Sequence, residues 1–175
     1  MNRIIQLDQK ITLWFQRLPA GLHPYMFAIT QLGSVALVIV ASGALAFYAY
    51  TRHRLRLAYA FAAVIPAEFL NAGLKLLFDR SRPKTQFAHD MFLHTKSFPS
   101  GHAFGSFVFY GLLAYLAYSH LPHGWNRAIP VALGVLIVLI GASRVYLGAH
   151  YTLDVLGGWM VASVALFLII RLARI

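Results

Sequence analysis

The chain contains no cysteine, and among its 175 residues only five are acidic: Asp8, Glu68, Asp79, Asp90 and Asp154. The missing thiols exclude disulfides, thiol nucleophiles and cysteine metal sites, and they fit either side of a bacterial membrane. His89, His94, His120 and His123 have no carboxylate or cysteine at ligand spacing, so neither a metal site nor a cofactor is predicted. Charge of either sign is scarce: 11% of the residues are charged and 59% hydrophobic, where soluble domains carry about 25% and 45–50%. That balance is one of a membrane protein. No Pro/Gly/Ser-rich linker, low-complexity tract or repeat divides the chain, so residues 1–175 are expected to form one domain.

What is present is positive charge. Fifteen Lys and Arg leave a formal net charge of +10, which suits nucleic acid, anionic headgroups or a phosphorylated substrate. The basic residues lie between apolar runs and form no single tract, which argues against nucleic acid.

A membrane span needs about 20 mostly apolar residues. Five stretches qualify: 26–50, 57–74, 103–121, 128–142 and 151–170. The fourth is short unless it continues into "SRVYL", and the fifth carries Asp154 near its start. Ahead of them, Ile4, Leu7, Ile11, Trp14 and Leu18 recur at helical spacing while Arg3, Asp8, Gln9, Lys10 and Arg17 take other faces. Residues 1–20 therefore read as an amphipathic helix, either lying on the membrane surface or packed on the bundle as a lid, and ended by "LPAG". The predicted fold is all-α: a polytopic membrane bundle over 26–175, of about five transmembrane helices, plus this interfacial helix.

Five spans put the N-terminus and the segments 75–101 and 143–150 on one side of the membrane. Arg3, Lys10, Arg17, Lys75, Arg80, Arg82, Lys84, Lys96 and Arg144 lie there; Arg52, Arg54, Arg56, Arg127, Arg171 and Arg174 lie opposite. The positive-inside rule favours the first side as cytoplasmic, nine against six. If Lys75, Arg82 and Arg144 serve a site, the sides are level and charge leaves the orientation open.

Three segments of that first side carry chemistry: "KLLFDRSRP" at 75–83, "PSGH" at 99–102 and "SRVYLGAHYTLD" at 143–154. In "PSGH" a proline, a capping serine and a glycine open a helix whose first amides lack internal partners, an arrangement that binds phosphate. His150 and Asp154, four apart, share a helical face, so the carboxylate can orient the ring and make it more basic. An acid within a span is a functional candidate by default. Lys75, Arg82 and Arg144 converge on the same face, and cations of that kind neutralise the equatorial oxygens in phosphoryl transfer. These residues form a phosphate site without metal. The spacing does not say which of His102 and His150 is nucleophile and which acid, except that only His150 has an aspartate four residues on.

In spacing and order the three segments resemble the complete signature of the type 2 phosphatidic acid phosphatase (PAP2) superfamily. The resemblance covers about 80 residues, from Lys75 to Asp154. It implies that His150 attacks phosphorus and becomes a phosphohistidine, that Asp154 holds its ring, and that His102 protonates the leaving oxygen and then helps to activate water. It also implies that Lys75, Arg82, Ser100, the Gly101 amide and Arg144 hold the phosphate oxygens, with Ser143 adding a hydrogen bond. The site is then expected to face the periplasm or exterior of a bacterial inner membrane.

Outside the signature, Glu68 and Asn71 stand seven and four residues before Lys75 on one helical face. They either position Lys75 and line a headgroup pocket or hydrogen-bond between helices. Arg80, Lys84 and Lys96 either engage a second phosphate or are solvated. Pro66 suggests a kink, and Gly157 and Gly158 a close helix approach.

The expected function is hydrolysis of a lipid phosphomonoester or diphosphate, of the undecaprenyl diphosphate, phosphatidylglycerol phosphate or phosphatidate type. The lipid stays in the bilayer and no metal takes part. A lipid phosphotransferase, or a non-enzymatic transporter or scaffold, is the alternative. Reporter fusions to the two termini are expected on opposite sides of the membrane; the same side for both would exclude five spans.

Overall fold

A computed structural model describes residues 3–85 and 95–175. His89 and His94 lie outside the described residues. Helix α1 (Arg3–Gln16) leads through Pro19 and a 3-10 turn (Ala20–Leu22) into α2 (His23–Leu32) and α3 (Val35–Thr51). Next come α4 (Leu55–Phe78), α5 (Gly101–His120), α6 (Trp125–Tyr146) and α7 (Thr152–Ala173).

The span expected at 26–50 is broken. Gly33 ends α2, and the Ser34 hydroxyl starts α3 by accepting from the Leu37 amide at 3.3 Å. The fourth span does continue through "SRVY", to Tyr146. Helix α4 runs unbroken through Pro66.

Among the described residues, four helical stretches can cross a membrane by length and composition: 20–51, 55–78, 125–146 and 152–173. Helix α5, expected as a span, is not among them. Its 20 residues would reach about 30 Å, enough for the hydrocarbon core. It sits at the centre, packed against α3, α4, α6 and α7. A helix wrapped by other helices touches little lipid and can carry the small and polar residues that let helices approach.

Outside and inside are reversed relative to a soluble protein. Leu76 and Leu172 are each 80% exposed, while Asp154, Ser100 and Ser143 are wholly buried and Glu68, Asn71, Arg144 and His150 nearly so. Apolar side chains facing outward suit lipid; polar ones gathered inside suit a site.

Helix α1 follows the same rule, which resolves its two readings together. Ile4, Leu7, Ile11 and Trp14 face away from the bundle, and Asp8 and Thr12, one turn apart, are buried against it. The helix packs on α6 and α7 through polar groups and leaves its apolar stripe for the bilayer.

At the start of α5 the helices come closest. A Cβ built on Gly158 of α7 would lie 2.9 Å from the Ser100 carbonyl oxygen and 3.2 Å from Ala103 Cβ; one on Gly157 would strike the Phe98 ring at 2.2 Å. Gly158→Ala must push α7 off the "PSGH" turn, and is expected to cost about 1–3 kcal/mol and lower the melting temperature. Gly73→Ala in α4, where a Cβ meets open space, is the control and is expected to show no loss.

Candidate active site

The site is built at one end of the bundle, where α4 and α6 end and α5 and α7 begin. His150 lies in the short turn between α6 and α7, in which Gly148 takes a positive φ of 74°. Side-chain contacts are severe there as well: Thr85 lies within 2.6 Å of a built Cβ and donates its hydroxyl to the Gly148 carbonyl at 2.9 Å. The turn thereby fixes the backbone that presents the ring.

His150 Nδ1 stands 3.5 Å from Asp154 Oδ2. That is long for a hydrogen bond, as such pairs often are before substrate arrives. On the other side of the ring, Arg82 Nη1 is 3.1 Å from Nε2. Arginine only donates, so this contact requires a lone pair on Nε2 and puts the ring proton on Nδ1, towards Asp154. The tautomer is the one a nucleophilic Nε2 needs.

Asp154 is wholly buried, and each of its oxygens is engaged. Oδ1 accepts from Arg80 Nη1 at 2.7 Å, and Oδ2 accepts from the Tyr151 amide at 2.9 Å. Its backbone carbonyl receives the Ser100 amide at 3.0 Å, so the acid of the His–Asp pair also anchors the "PSGH" turn.

The cations are held by backbone. Lys75 Nζ, on the last turn of α4, donates to the carbonyls of Pro99 (2.8 Å) and Lys96 (3.2 Å). Arg82 donates to the Ala149 carbonyl (2.9 Å), the Thr95 carbonyl (2.8 Å) and the Thr95 hydroxyl (2.8 Å). Arg144 Nη1 donates to Thr30 Oγ1 at 2.9 Å. The Ser143 hydroxyl donates to the Ile140 carbonyl at 2.6 Å, so its proton is engaged within its own helix. The Ser100 hydroxyl caps α5 by accepting from the Ala103 amide at 3.4 Å, and Gly101 follows directly. His102, on the first turn, is within electrostatic reach of Arg144, His150, Arg82 and Lys75. The structure thus brings Lys75, Arg82, Ser100, Gly101, His102, Arg144, His150 and Asp154 together.

Glu68 and Asn71 are buried in α4 and face α5. A Cβ on Gly105 would overlap Glu68 Oε1, and one on Gly101 would lie 3.7 Å from Asn71 Nδ2. Among the described residues neither Glu68 Oε1 nor Asn71 Oδ1 has a hydrogen-bond partner. The two stand beneath the site on the helix that carries Lys75.

Four residues escaped the sequence reading. Ser97 is wholly buried; its amide donates to the Arg80 carbonyl at 2.8 Å and its hydroxyl to the Ser81 carbonyl at 3.2 Å. Thr95 binds Arg82. Asp8 and Thr12 of α1 reach the start of α7 and are described below. Arg80 is partly exposed and pairs with both Asp8 and Asp154. Lys96 pairs with Asp79 at the surface, and Lys84 is exposed. A cavity of about 600 Å³ lies at the other end of the bundle among His53, Arg54, Arg56, His120 and Arg174, away from this chemistry.

Burial first, and then the charges of Arg144, Arg82 and Lys75, hold the His150 ring well below the ordinary imidazole range, against a hydrogen bond from the ring to the Ser97 backbone carbonyl, which raises it. The ring is neutral at pH 7 and Nε2 is free of a proton. In nitrogen NMR spectra of histidine-labelled protein, the His150 midpoint is expected below 6.5. Arg82→Gln removes one opposing charge and should move it upward; a midpoint above 6.5 in the wild type would contradict the burial argument.

The PAP2 superfamily model matches residues 55–174. Phosphatidylglycerophosphatase B of Bacillus subtilis is 34% identical over 154 residues, 85% of this chain and 73% of that protein. Undecaprenyl-diphosphatase BcrC of the same organism is 31% identical over 153 residues, 86% of this chain and 74% of that one. A crystal structure of a transmembrane PAP2-type phosphatidylglycerolphosphate phosphatase from Bacillus subtilis matches with a TM-score of 0.82 at 29% identity, over 99% of this chain and 88% of the other.

Proposed function

This chain belongs to the PAP2 superfamily and is a membrane lipid phosphatase; from that premise we propose that it hydrolyses a lipid phosphomonoester or diphosphate through a phosphohistidine on His150, without a metal. His150 Nε2 attacks phosphorus, the P–N bond forms as the P–O bond to the lipid breaks, and His102 gives its proton to the departing oxygen. Water then attacks the phosphohistidine while His102 takes one of its protons, and phosphate leaves with the ring restored. Lys75, Arg82 and Arg144, with the Ser100 hydroxyl and the Gly101 amide, hold the equatorial oxygens as their charge is redistributed. Asp154 steadies the Nδ1 proton when the ring becomes positive.

The observation that carries this reading is the pair of contacts on the two ring nitrogens. Arg82 on Nε2 and Asp154 beside Nδ1 define one tautomer and one reactive atom, and that atom points at the cations. The names of the relatives support a lipid substrate: one is a phosphatidylglycerophosphatase and another an undecaprenyl-diphosphatase. The lipid chain would stay among the outward-facing apolar side chains while the headgroup enters the polar end. We place the protein in a bacterial inner membrane with the site facing outward, on the strength of the family resemblance, since the charge count is level.

Purified protein in detergent, offered undecaprenyl diphosphate, phosphatidylglycerol phosphate, phosphatidate and lipid A phosphate with excess chelator, is expected to release free phosphate from at least one. His150→Ala should lower the rate on the order of 10³-fold or more. His102→Ala, given labelled substrate and quenched in alkali, in which a phosphohistidine survives, should retain label on the protein, because water attack is impaired. Chelator-sensitive release, or turnover by His150→Ala, would overturn the mechanism.

A further inference from the structure

Asp8 is an acid on a helix whose apolar side chains face outward, yet its own side chain is 0% exposed. Its oxygens are divided between two partners: Oδ1 accepts from the Leu153 amide at 2.9 Å, and Oδ2 accepts from Arg80 Nη2 at 2.5 Å. Arg80 turns its other nitrogen to Asp154 Oδ1 at 2.7 Å, and its guanidinium lies 4.5 Å over the Tyr151 ring. The remaining oxygen of Asp154 faces His150 Nδ1. One turn along α1, Thr12 Oγ1 accepts from the Thr152 amide at 3.1 Å. Helix α1 therefore satisfies the first two amides of α7, the helix that carries Asp154.

A buried carboxylate is unfavourable unless paired, and breaking such a pair costs more than the pair gains. Here one of only five acids is placed against an arginine that already has a carboxylate. The redundancy has an electrostatic consequence. If Asp154 were Arg80's only partner, the two charges would cancel and little attraction would reach the His150 ring. With Asp8 present, one cation is shared between two anions and the group keeps a net charge of −1, so Asp154 is fixed in place without being neutralised.

We propose that Asp8 is a positioning residue for phosphoryl transfer, which through Arg80 sets both the orientation of Asp154 and the share of its charge that acts on His150. The inference rests on the reading of His150 as nucleophile. Besides this group, His150 is faced by Lys75 from α4, Arg82 from the segment after α4, His102 from α5 and Arg144 from α6. None of them is altered by changing Asp8.

The test is the acid limb of kcat/KM against pH for inorganic phosphate release, in full-length protein in detergent, with melting temperatures measured alongside. Asp8→Asn removes a negative charge, destabilises the protonated ring and should move the limb down by about half a pH unit. Arg80→Gln removes a positive charge and should move it up by a similar amount. Asp8→Glu restores the carboxylate and should bring the limb back towards wild type. A merely structural contact would lower activity and melting temperature in both variants and leave the limb in place, which would overturn the proposal; so would shifts in the same direction. Should Arg80→Gln not fold, Asp8→Asn with its Asp8→Glu rescue decides alone. His150→Ala is run in parallel: turnover there would remove the premise, whereas an inactive His150→Ala with an unmoved limb in Asp8→Asn would defeat this inference only.

Discussion

Positive charge held out of water without an equal number of acids is the constraint on which this structure depends. Lys75, Arg82 and Arg144 surround a buried imidazole, and Asp154 is the carboxylate that faces it. Charges so placed lose hydration and must recover it from fixed dipoles. They recover it from loops: Lys75 from the carbonyls of Pro99 and Lys96, Arg82 from those of Ala149 and Thr95. The dependence is mutual. The chain segments that lead into α5 and α7 are held by the cations, and the cations are held by those segments. Neutral carbonyls balance the cations only partly, and the surplus charge makes the site complementary to an anion.

The bilayer supplies the second half of the constraint. Apolar side chains on α3, α4, α6 and α7 face outward, so the polar groups have only the interior and the ends of the bundle to occupy. Small residues at the crossings allow this. Gly158 brings α7 against the Ser100 carbonyl, and Gly105 leaves room on α5 for the buried Glu68. Close helix approach at one end brings the first turn of α5 and the turn before α7 side by side, and they carry His102 and His150.

Much of this was legible in the sequence. Helix periods and apolar runs located the spans because hydropathy and length are what the bilayer selects, and His150 with Asp154 was visible because four residues make one helical turn. The break at Gly33 and Ser34 was not, since the apolar run continues across it. Nor was the placement of Asp8, whose partners lie 72 and 145 residues away. The apolar stripe of α1 was read correctly, but in a membrane protein that stripe faces lipid, and what matters for function is the polar face opposite. The scarcity of acids was the available signal. In a chain with fifteen cations a buried acid such as Asp8 has partners within reach, and it pairs with the arginine beside Asp154.

The contact between Arg82 and His150 Nε2 has a further meaning. It identifies the lone pair, and it also covers it: no electrophile can reach Nε2 along that direction while the guanidinium donates there. His150 is 2% exposed, so bulk water has little access to the ring itself. A phosphate oxygen, as an anion, is a stronger acceptor for Arg82 than a neutral ring nitrogen. On the proposed mechanism, arrival of the phosphate would draw Arg82 away from the ring in the same movement that neutralises the phosphate. If His150 is the nucleophile we propose, uncovering it and binding the substrate become one event, driven by the charge imbalance that the fold maintains.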